Sequence, residues 1–534
     1  MASVSVVSHV KTLALASPLA LSAALFLVVA LTVRYVLNLP KRLNLPVVGT
    51  GNPQDLSKDL VEGTIKYPNT PYIIPISPPQ VILPVCVLDE VRNLPETQVS
   101  FMKSVRDIFL YKHTGIGEDR PEIITAVKVD LTRHIASVLD GLQDEIQYSM
   151  NKELGACEDW TSIVLYQKLV RIVALLSGRV FVGLPLSRDE EWLDSTIKFT
   201  IDAVAAADAI RKWNILLRPF VAPFLPEIRR VKQHKARGGE LLAPLLQEKL
   251  HASQNEKASS SKSGDQRGAF VSWVLRHTDE HERYDPRVLG VNQMVLSFAA
   301  IHTTTMATTH AIFDLVSRPE YLGPLRDEIN QVLEEDGYDL NGDGSMKLKK
   351  SSIPKLRKLD SFLKESQRLS PPGLLSNTRI TTAPLSLSTG HTLPKGTRFG
   401  FPSWAIHTST TAETFSPAYN PSTAKGPTEF DGFRFSNLRA MGNGKENKHQ
   451  FVTTAPESLN FGYGNHACPG RFFASNEIKV LMIEVLKNWD IRLKGDVEGK
   501  GGEDKRPENY YNEATVAPNP LAEIEIRRRK ENDL

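Results

Sequence analysis

The amino-acid sequence predicts a mainly α-helical fold with small β-sheets: one large domain preceded by a single transmembrane helix. Three observations predict it. Apolar residues recur at helical spacing in long stretches through the middle and end of the chain. The clearest strand-like segment, Ile380 to Thr397, holds short alternating runs broken by Gly390 and Gly396, enough for a small sheet only. An uncharged apolar run near the start has the length of a bilayer core.

That run is Thr12 to Val33, TLALASPLALSAALFLVVALTV. A helix there satisfies its own backbone in lipid. Lys11 precedes it, and Arg34, Lys41 and Arg42 follow. The bias places the bulk of the protein in the cytosol, and a basic cluster after the run reads as a stop-transfer rather than a cleaved signal. Residues 1–34 are therefore expected to be an anchor. Residues 35–49, with Pro40 and Pro46, form a stiff connector. Residues 50–534 form the domain, because no Pro/Gly/Ser-rich break divides them. Helices are expected over 130–150, 226–252, Val291–Val316, Leu356–Leu369 and Ala474–Trp489, the last with Ile478, Leu481, Met482 and Val485 on one apolar face. The polar stretch Ala252 to Gly268 reads as an exposed loop. Asp339, Asn341, Asp343 and Gly344 match the first half of a calcium loop, but Lys350 stands where a bidentate Glu is needed, so a plain polar turn is expected.

Composition excludes several functions. The 64 basic and 61 acidic residues leave a net charge of +3, too little to argue for nucleic acid. The three cysteines, Cys86, Cys157 and Cys468, form no CxxC pair, which excludes a zinc cluster or a disulfide framework and fits a reducing compartment.

The most informative segment is Phe461 to Ala474, FGYGNHACPGRFFA. Gly462 and Gly464 allow a tight loop to approach a flat ligand. Cys468 lies just before a helix, whose free N–H groups and dipole favour a thiolate. Pro469 and Gly470 remove one donor and one side chain beside the sulfur. Such a thiolate suits a haem iron. The plainer reading is a buried cysteine next to a glycine turn.

FGYGNHACPG resembles the cytochrome P450 signature F-G-x-G-x-x-x-C-x-G at every fixed position, and the resemblance runs from about Pro40 to the end. It implies the cytochrome P450 fold as a single haem domain, haem b (iron protoporphyrin IX) as cofactor, and Cys468 as the metal ligand. Phe461, Gly462 and Gly470 would frame the cofactor. His466 stands where an Arg more often binds a haem propionate. Glu365 and Arg368 in FLKESQRLSPP resemble the family's E-x-x-R pair, and Arg434 in FDGFRF resembles the arginine that locks with it in a structural network. Ala299 to Thr304 in FAAIHTTT align with the oxygen-binding helix. By that alignment Thr303 and its neighbour Thr304 help deliver protons. Ala300 replaces a glycine and His302 replaces an acid, so His302 is either a proton relay or a core histidine bonded to a neighbouring helix. Arg379 resembles a propionate-binding arginine. Arg133 does so on a weaker pattern, since Val129 stands where a Trp is usual.

The activity implied is insertion of one atom of O2 into an unactivated C–H bond of a lipophilic small molecule, with electrons from NADPH through a membrane-bound NADPH–cytochrome P450 reductase and cytochrome b5 as a possible second donor. Arg471 and Lys479 are candidates for the reductase patch. By family position Phe298, Ile301, Leu374, Leu375, Ser376, Thr515 and Val516 line the pocket. Ile215 to Ile228, ILLRPFVAPFLPEI, either dips into the membrane surface or is an internal connector. The finer resemblance is to fungal microsomal members that modify secondary metabolites, with terpenoids or terpenoid hybrids ahead of indole alkaloids and polyketides. The expected location is the endoplasmic reticulum membrane, single-pass. Two rival classes are a haem-thiolate isomerase or dehydratase that needs no reductase and a non-catalytic haem-binding protein.

Overall fold

The computed structural model describes residues 43–530, apart from 51–53, 77, 256–267, 284, 341–345, 410–424, 443 and 445, together with Ser22, Ala23, Leu25, Phe26 and Val29. The expected anchor and the polar stretch after 255 fall largely outside the described residues, as does the centre of the turn at 339–350. Among the described residues no helix is long and apolar enough to cross a membrane. The end of the proline connector is tied down: Ile73 N donates to Pro46 O at 2.8 Å and Val48 N to Ile73 O at 2.9 Å.

The fold is mainly helical. In chain order the elements that position the site are β1 (Tyr72–Ile74), β2 (Gln80–Ile82), β3 (Val99–Ser100), α1 (Phe101–Ile108), α2 (Pro121–Thr125) with a π-helical turn (Ala126–Leu131), and α3 (Ile135–Leu154). Next come β4 (Thr161–Val164), α4 (Leu165–Phe181), α5 (Glu190–Arg211), α6 (Pro226–Asn255), α7 (Pro286–Ser317) and α8 (Arg357–Leu369). Then follow β5 (Ser376–Thr381), β6 (Arg398–Phe401), α9 (Arg434–Ala440), α10 (Arg471–Asn488), β7 (Trp489–Leu493), β8 (Asn509–Asn512), β9 (Thr515–Pro518) and β10 (Glu523–Arg528). A five-stranded sheet runs in the order β1-β2-β6-β5-β3, with β6 parallel to β2 and the other pairs antiparallel. A second sheet is β7-β10-β4, and β8 and β9 form a hairpin. Of the stretch Ile380–Thr397 read as a small sheet, Ile380 and Thr381 end β5 of the five-stranded sheet, while Leu385–Ser386 pairs antiparallel with Thr392–Leu393 in a separate two-stranded sheet.

Helix α7 starts five residues before the run read from the sequence. Asp285 accepts from Arg287 N at the cap, and Pro286 fits the first turn, where its missing N–H has no partner to lose. Its polar threonines are absorbed by the helix itself: Thr305, Thr308 and Thr309 donate to the carbonyls four residues back at 2.7, 2.9 and 2.7 Å. The largest core cluster gathers α3 to α8 and α10 around α7. Helix α10 is buried on more than its apolar face, since Glu477 and Lys479 lie inside as well. Apolar periodicity finds this helix but not the burial of Glu477 and Lys479, because charged residues are assigned to water unless their partners are known.

Candidate active site

The cysteine loop is fixed before the sulfur is reached. Cys468 N donates to Phe461 O at 2.7 Å, which closes the loop on itself. Gly462 and Gly464 sit at φ +71° and +81°. A Cβ on Gly464 would meet Arg92 at 2.8 Å, so the glycine is required both by conformation and by space. Cys468 ends up at the N-terminus of α10, where the N–H groups of Gly470 and Arg471 turn toward it. Burial pushes its thiol up, and those N–H groups with the Arg471 charge only partly pull it back. The helix end alone thus does not outweigh burial. A coordinated metal cation does, because coordination deprotonates a thiol outright.

Beside this loop lies a cluster of cations. Arg379, on β5, is 5% exposed, and its guanidinium sits 5.1 Å over the Phe101 ring. Nη1 donates to Thr378 O at 2.8 Å, and burial pushes the group down to about 10. His466 packs against the same ring at 5.6 Å, with Nε2 3.4 Å from Glu96 Oε1. Burial, Arg379 and Lys128 hold the imidazole below its ordinary value, although Glu96 pulls the other way. Arg379 and His466 converge as expected. Lys128 of the π-turn adds its charge to theirs; both Lys128 and Arg133, the latter between the π-turn and α3, are exposed.

This arrangement fits a haem. A partly open thiol sits in a glycine loop, and a buried arginine whose nearest carboxylate is the exposed Glu96 is suited to an anionic propionate. The small residue Gly470 leaves Val127 of the π-turn within 3.6 Å of where a side chain would stand.

Helix α7 contributes an open face. Ala299 and Thr303 are exposed in the middle of a helix that is otherwise mostly buried, with Val295 and Ala307 partly open in line with them. Thr303 Oγ1 donates to Ala299 O at 2.6 Å. Thr304 turns the other way, is 3% exposed, and faces the Glu477 carboxyl inside the core. Ser177 Oγ donates to Glu477 Oε1 at 2.7 Å, and burial pushes that carboxyl up to about 8. Of the two readings of His302, the structure matches the core histidine: Nδ1 lies 3.1 Å from Tyr166 Oη and Nε2 3.1 Å from Ile197 O.

The expected pocket residues divide. Ile301 is 2% exposed and packs on Val170, Ala174, Leu175 and Leu193, away from the open face. Phe298 is partly buried in an edge-to-face contact with Phe109 at 5.1 Å. The segments around Leu374 and Thr515 do meet, through Leu374 N to Ala514 O at 2.6 Å and a bridge between Gly373 and Thr515. Yet Leu374 and Val516 are buried in a small core with Val48, Leu56, Tyr72 and Ile74, leaving Leu375, Ser376 and Thr515 with open surface. Helical and strand alternation puts neighbours on opposite sides, so a motif locates such a segment without saying which residue faces the ligand.

Behind the loop stands a buried ionic network. Arg368 donates to both Glu365 oxygens at 2.8 Å, and Arg434 Nε reaches Glu365 Oε1 at 3.1 Å. Further guanidinium donors go to backbone carbonyls: Arg368 to His407, Pro427 and Glu429, Arg434 to Lys425, Gly426 and Glu429. The three side chains are at most 3% exposed. One turn earlier on α8, Asp360 takes Lys479 Nζ at 2.6 Å and Phe451 N at 2.9 Å. Lys479 is therefore sealed inside and is not part of a docking surface. Lys364 donates to Gln450 O, Thr453 O and Ser458 Oγ, and burial pushes its amine down to about 8.

Several residues that hold the loop carry no motif. Asn377, itself at φ +50°, exchanges two 3.0 Å bonds with the backbone of Tyr463, one in each direction. Ser376 Oγ donates to Leu459 O at 2.8 Å, and Leu459 N donates to His407 Nε2 at 3.0 Å. An Asn at the start of a strand segment is a usable sequence signal for a left-handed residue, but its partner 86 positions later is not.

A cysteine at a helix end, a propionate-ready cation cluster and an open helix face define a haem-thiolate centre. The cytochrome P450 family model matches residues 124–505. The chain is 54% identical to cytochrome P450 monooxygenase ascG of Acremonium egyptiacum over 91% of its length and 92% of that protein's. It is 40% identical to cytochrome P450 monooxygenase 3 of Gibberella fujikuroi, over 91% and 90% of the two chains, and 42% identical to cytochrome P450 monooxygenase BOA7 of Botryotinia fuckeliana, over 92% and 90%. The chain belongs to the cytochrome P450 family and is a haem-thiolate monooxygenase, with haem and O2 as the family's cofactor and co-substrate.

Proposed function

We propose that the protein oxidises a lipophilic secondary metabolite, with a terpenoid or terpenoid hybrid as the leading class, at a haem held between the cysteine loop and the Ala299–Thr303 face of α7. The observation that carries this is the placement of Cys468 at the N-terminus of α10 beside Arg379 and His466. Bound haem supplies the oxidation, activating O2 for insertion into a C–H bond. Cys468 holds the iron, Arg379, His466 and Lys128 take the propionates, and the glycines keep the loop close. Thr303 can swing its hydroxyl from the Ala299 carbonyl toward the site and pass a proton there. Ala299 leaves room for the substrate. Electrons from NADPH arrive through a reductase, whose docking face includes the partly exposed Arg471.

The test is turnover of candidate terpenoids by the full chain with reductase, NADPH and isotopically heavy O2. One heavy oxygen per product is expected. Product formed without NADPH would overturn the reading in favour of an isomerase. In the same assay Thr303→Ala should lower product per NADPH consumed by up to about a hundredfold while NADPH consumption continues; unchanged coupling would remove Thr303 from proton delivery.

The segment Ile215 to Ile228 supports a membrane-surface role. Ile215, Leu216, Leu217, Phe220 and Phe224 are 61, 57, 48, 73 and 80% exposed, which an internal connector would not be. Arg211, Lys212 and Arg218 border them, as in amphipathic segments that rest in a headgroup layer. An endoplasmic reticulum location is part of this reading, and the exposed segment supports contact with a lipid surface. With the chain in anionic vesicles, backbone amides of 213–225 should be protected from hydrogen exchange. Replacing Phe220 and Phe224 by Ser removes about 2–3 kcal/mol of apolar transfer and should cut that protection roughly thirtyfold or more. Equal protection in the variant would show that the surface stays in water.

A further inference from the structure

His302 stands at the position where the family pattern has a proton-donating acid, yet its surroundings describe another task. Ile197 O, on α5, can only accept, so Nε2 carries the ring proton toward it. In the neutral ring Nδ1 then accepts from the hydroxyl of Tyr166, at the start of α4. Burial holds the imidazole below its ordinary value, which keeps it in that neutral form. Both nitrogens are thus used, and neither faces the open side of α7.

Four residues earlier, on the same face of α7, Phe298 meets Phe199 of α5 edge-on at 6.3 Å and Phe109 at 5.1 Å. Helix α5 does not stand alone. Its Asp202 accepts from Arg230 and His234 of α6 at 2.7 and 2.9 Å, and Ala203, Ala206 and Ile210 are buried in the shared core. The α5–α6 pair is therefore one unit. It carries the exposed apolar tip between the two helices at one end and is stitched to α7 by Phe298 and His302.

We propose that His302 is a positioning residue: oriented by Tyr166 of α4, it latches the α5–α6 pair onto α7 together with Phe298, and so sets both the rate at which a lipophilic ligand reaches the open face of α7 and its alignment on Ala299 and Thr303. This deepens the oxidation-site reading and rests on it.

The test uses the full chain and three variants, Tyr166→Phe, His302→Ala and His302→Gln, with 4-phenylimidazole as a ligand of the haem iron. His302→Ala removes the bond to α5 and Tyr166→Phe the bond that orients the ring for it, and each should raise the ligand's association and dissociation rates roughly threefold to tenfold, the weight of a lost hydrogen bond. His302→Gln keeps one donor and one acceptor and should restore rates close to those of the parent. Hydrogen exchange across α5 should rise in the first two variants and not in the third, a readout that needs no haem. The proposal is overturned if α5 exchange and ligand rates are those of the parent in Tyr166→Phe. It is equally overturned if both His302 variants slow proton-dependent turnover while leaving ligand rates alone, which is the signature of a relay. Loss of the red-shifted carbonyl band in the parent protein itself would count against the haem-thiolate reading, and the α5 exchange would still decide the latch.

Discussion

Cys468→Ala is expected to give a folded protein whose reduced, carbon-monoxide-treated form has no red-shifted Soret band and whose monooxygenation falls at least about a thousandfold. The size of the effect follows from where the sulfur sits. Its loop is closed by the Cys468 N to Phe461 O bond and held by Asn377 and His407, none of which the substitution touches, so the backbone should survive. What disappears is the ligand whose electron donation favours O–O cleavage. No other thiol can stand in: Cys157 donates its S–H to Leu154 O at 3.0 Å, and Cys86 is on the surface. Arg379, His466 and Lys128 remain, so some haem should still bind, with an altered spectrum. A variant that keeps the shifted band would place the iron ligand elsewhere and undo the assignment of the whole site.

Glu365→Gln is the second large effect, and it acts on stability. The carboxylate stands between two arginines and also accepts from Asp431 N at 2.9 Å. Burial alone would push its pKa up, yet Arg368 and Arg434 hold it below the ordinary carboxylate value. Removing the charge takes from Arg368 and Arg434 the carboxylate that both bond inside the protein. Breaking a buried pair in this way costs about 3–5 kcal/mol, against about 5–15 kcal/mol for a whole domain. The expected result is a lower urea midpoint and a protein largely recovered without haem, because Arg368 also holds the backbone of His407, whose Nε2 accepts from Leu459 N at the base of the loop, and both arginines bond the backbone between 425 and 429. Comparison with Arg434→Ala, which removes one partner and leaves the Arg368 pair intact, should show the smaller loss. Parent-like stability and haem content in Glu365→Gln would mean that the network is not what supports the loop.

The helices were legible because their periodicity is long, and the cysteine loop because glycines and a cysteine at fixed spacing are rare. Glu365, Arg368 and Arg434 converge as the motif implies. What could not be read was direction. Thr303 and Thr304 are adjacent, yet one faces the open side and the other a buried carboxyl. Ile301 and Leu374 lie in the right segments on the wrong sides. Lys479 looked like a surface cation because its counterion, Asp360, is 119 positions away. His302 likewise takes its meaning from Tyr166 and Ile197, both more than a hundred residues earlier.

The bonds that seat the cysteine loop all reach far back along the chain: Leu459 to Ser376 and His407, Asn460 to Gln367, Tyr463 to Asn377. Such distant pairings form slowly, because a large loop must close before any of them can stabilise it. The cradle for the cofactor is accordingly one of the last parts of the molecule to take shape. A nascent chain still lacking its final hundred residues is without the cysteine loop and α10, and so offers no seat at all.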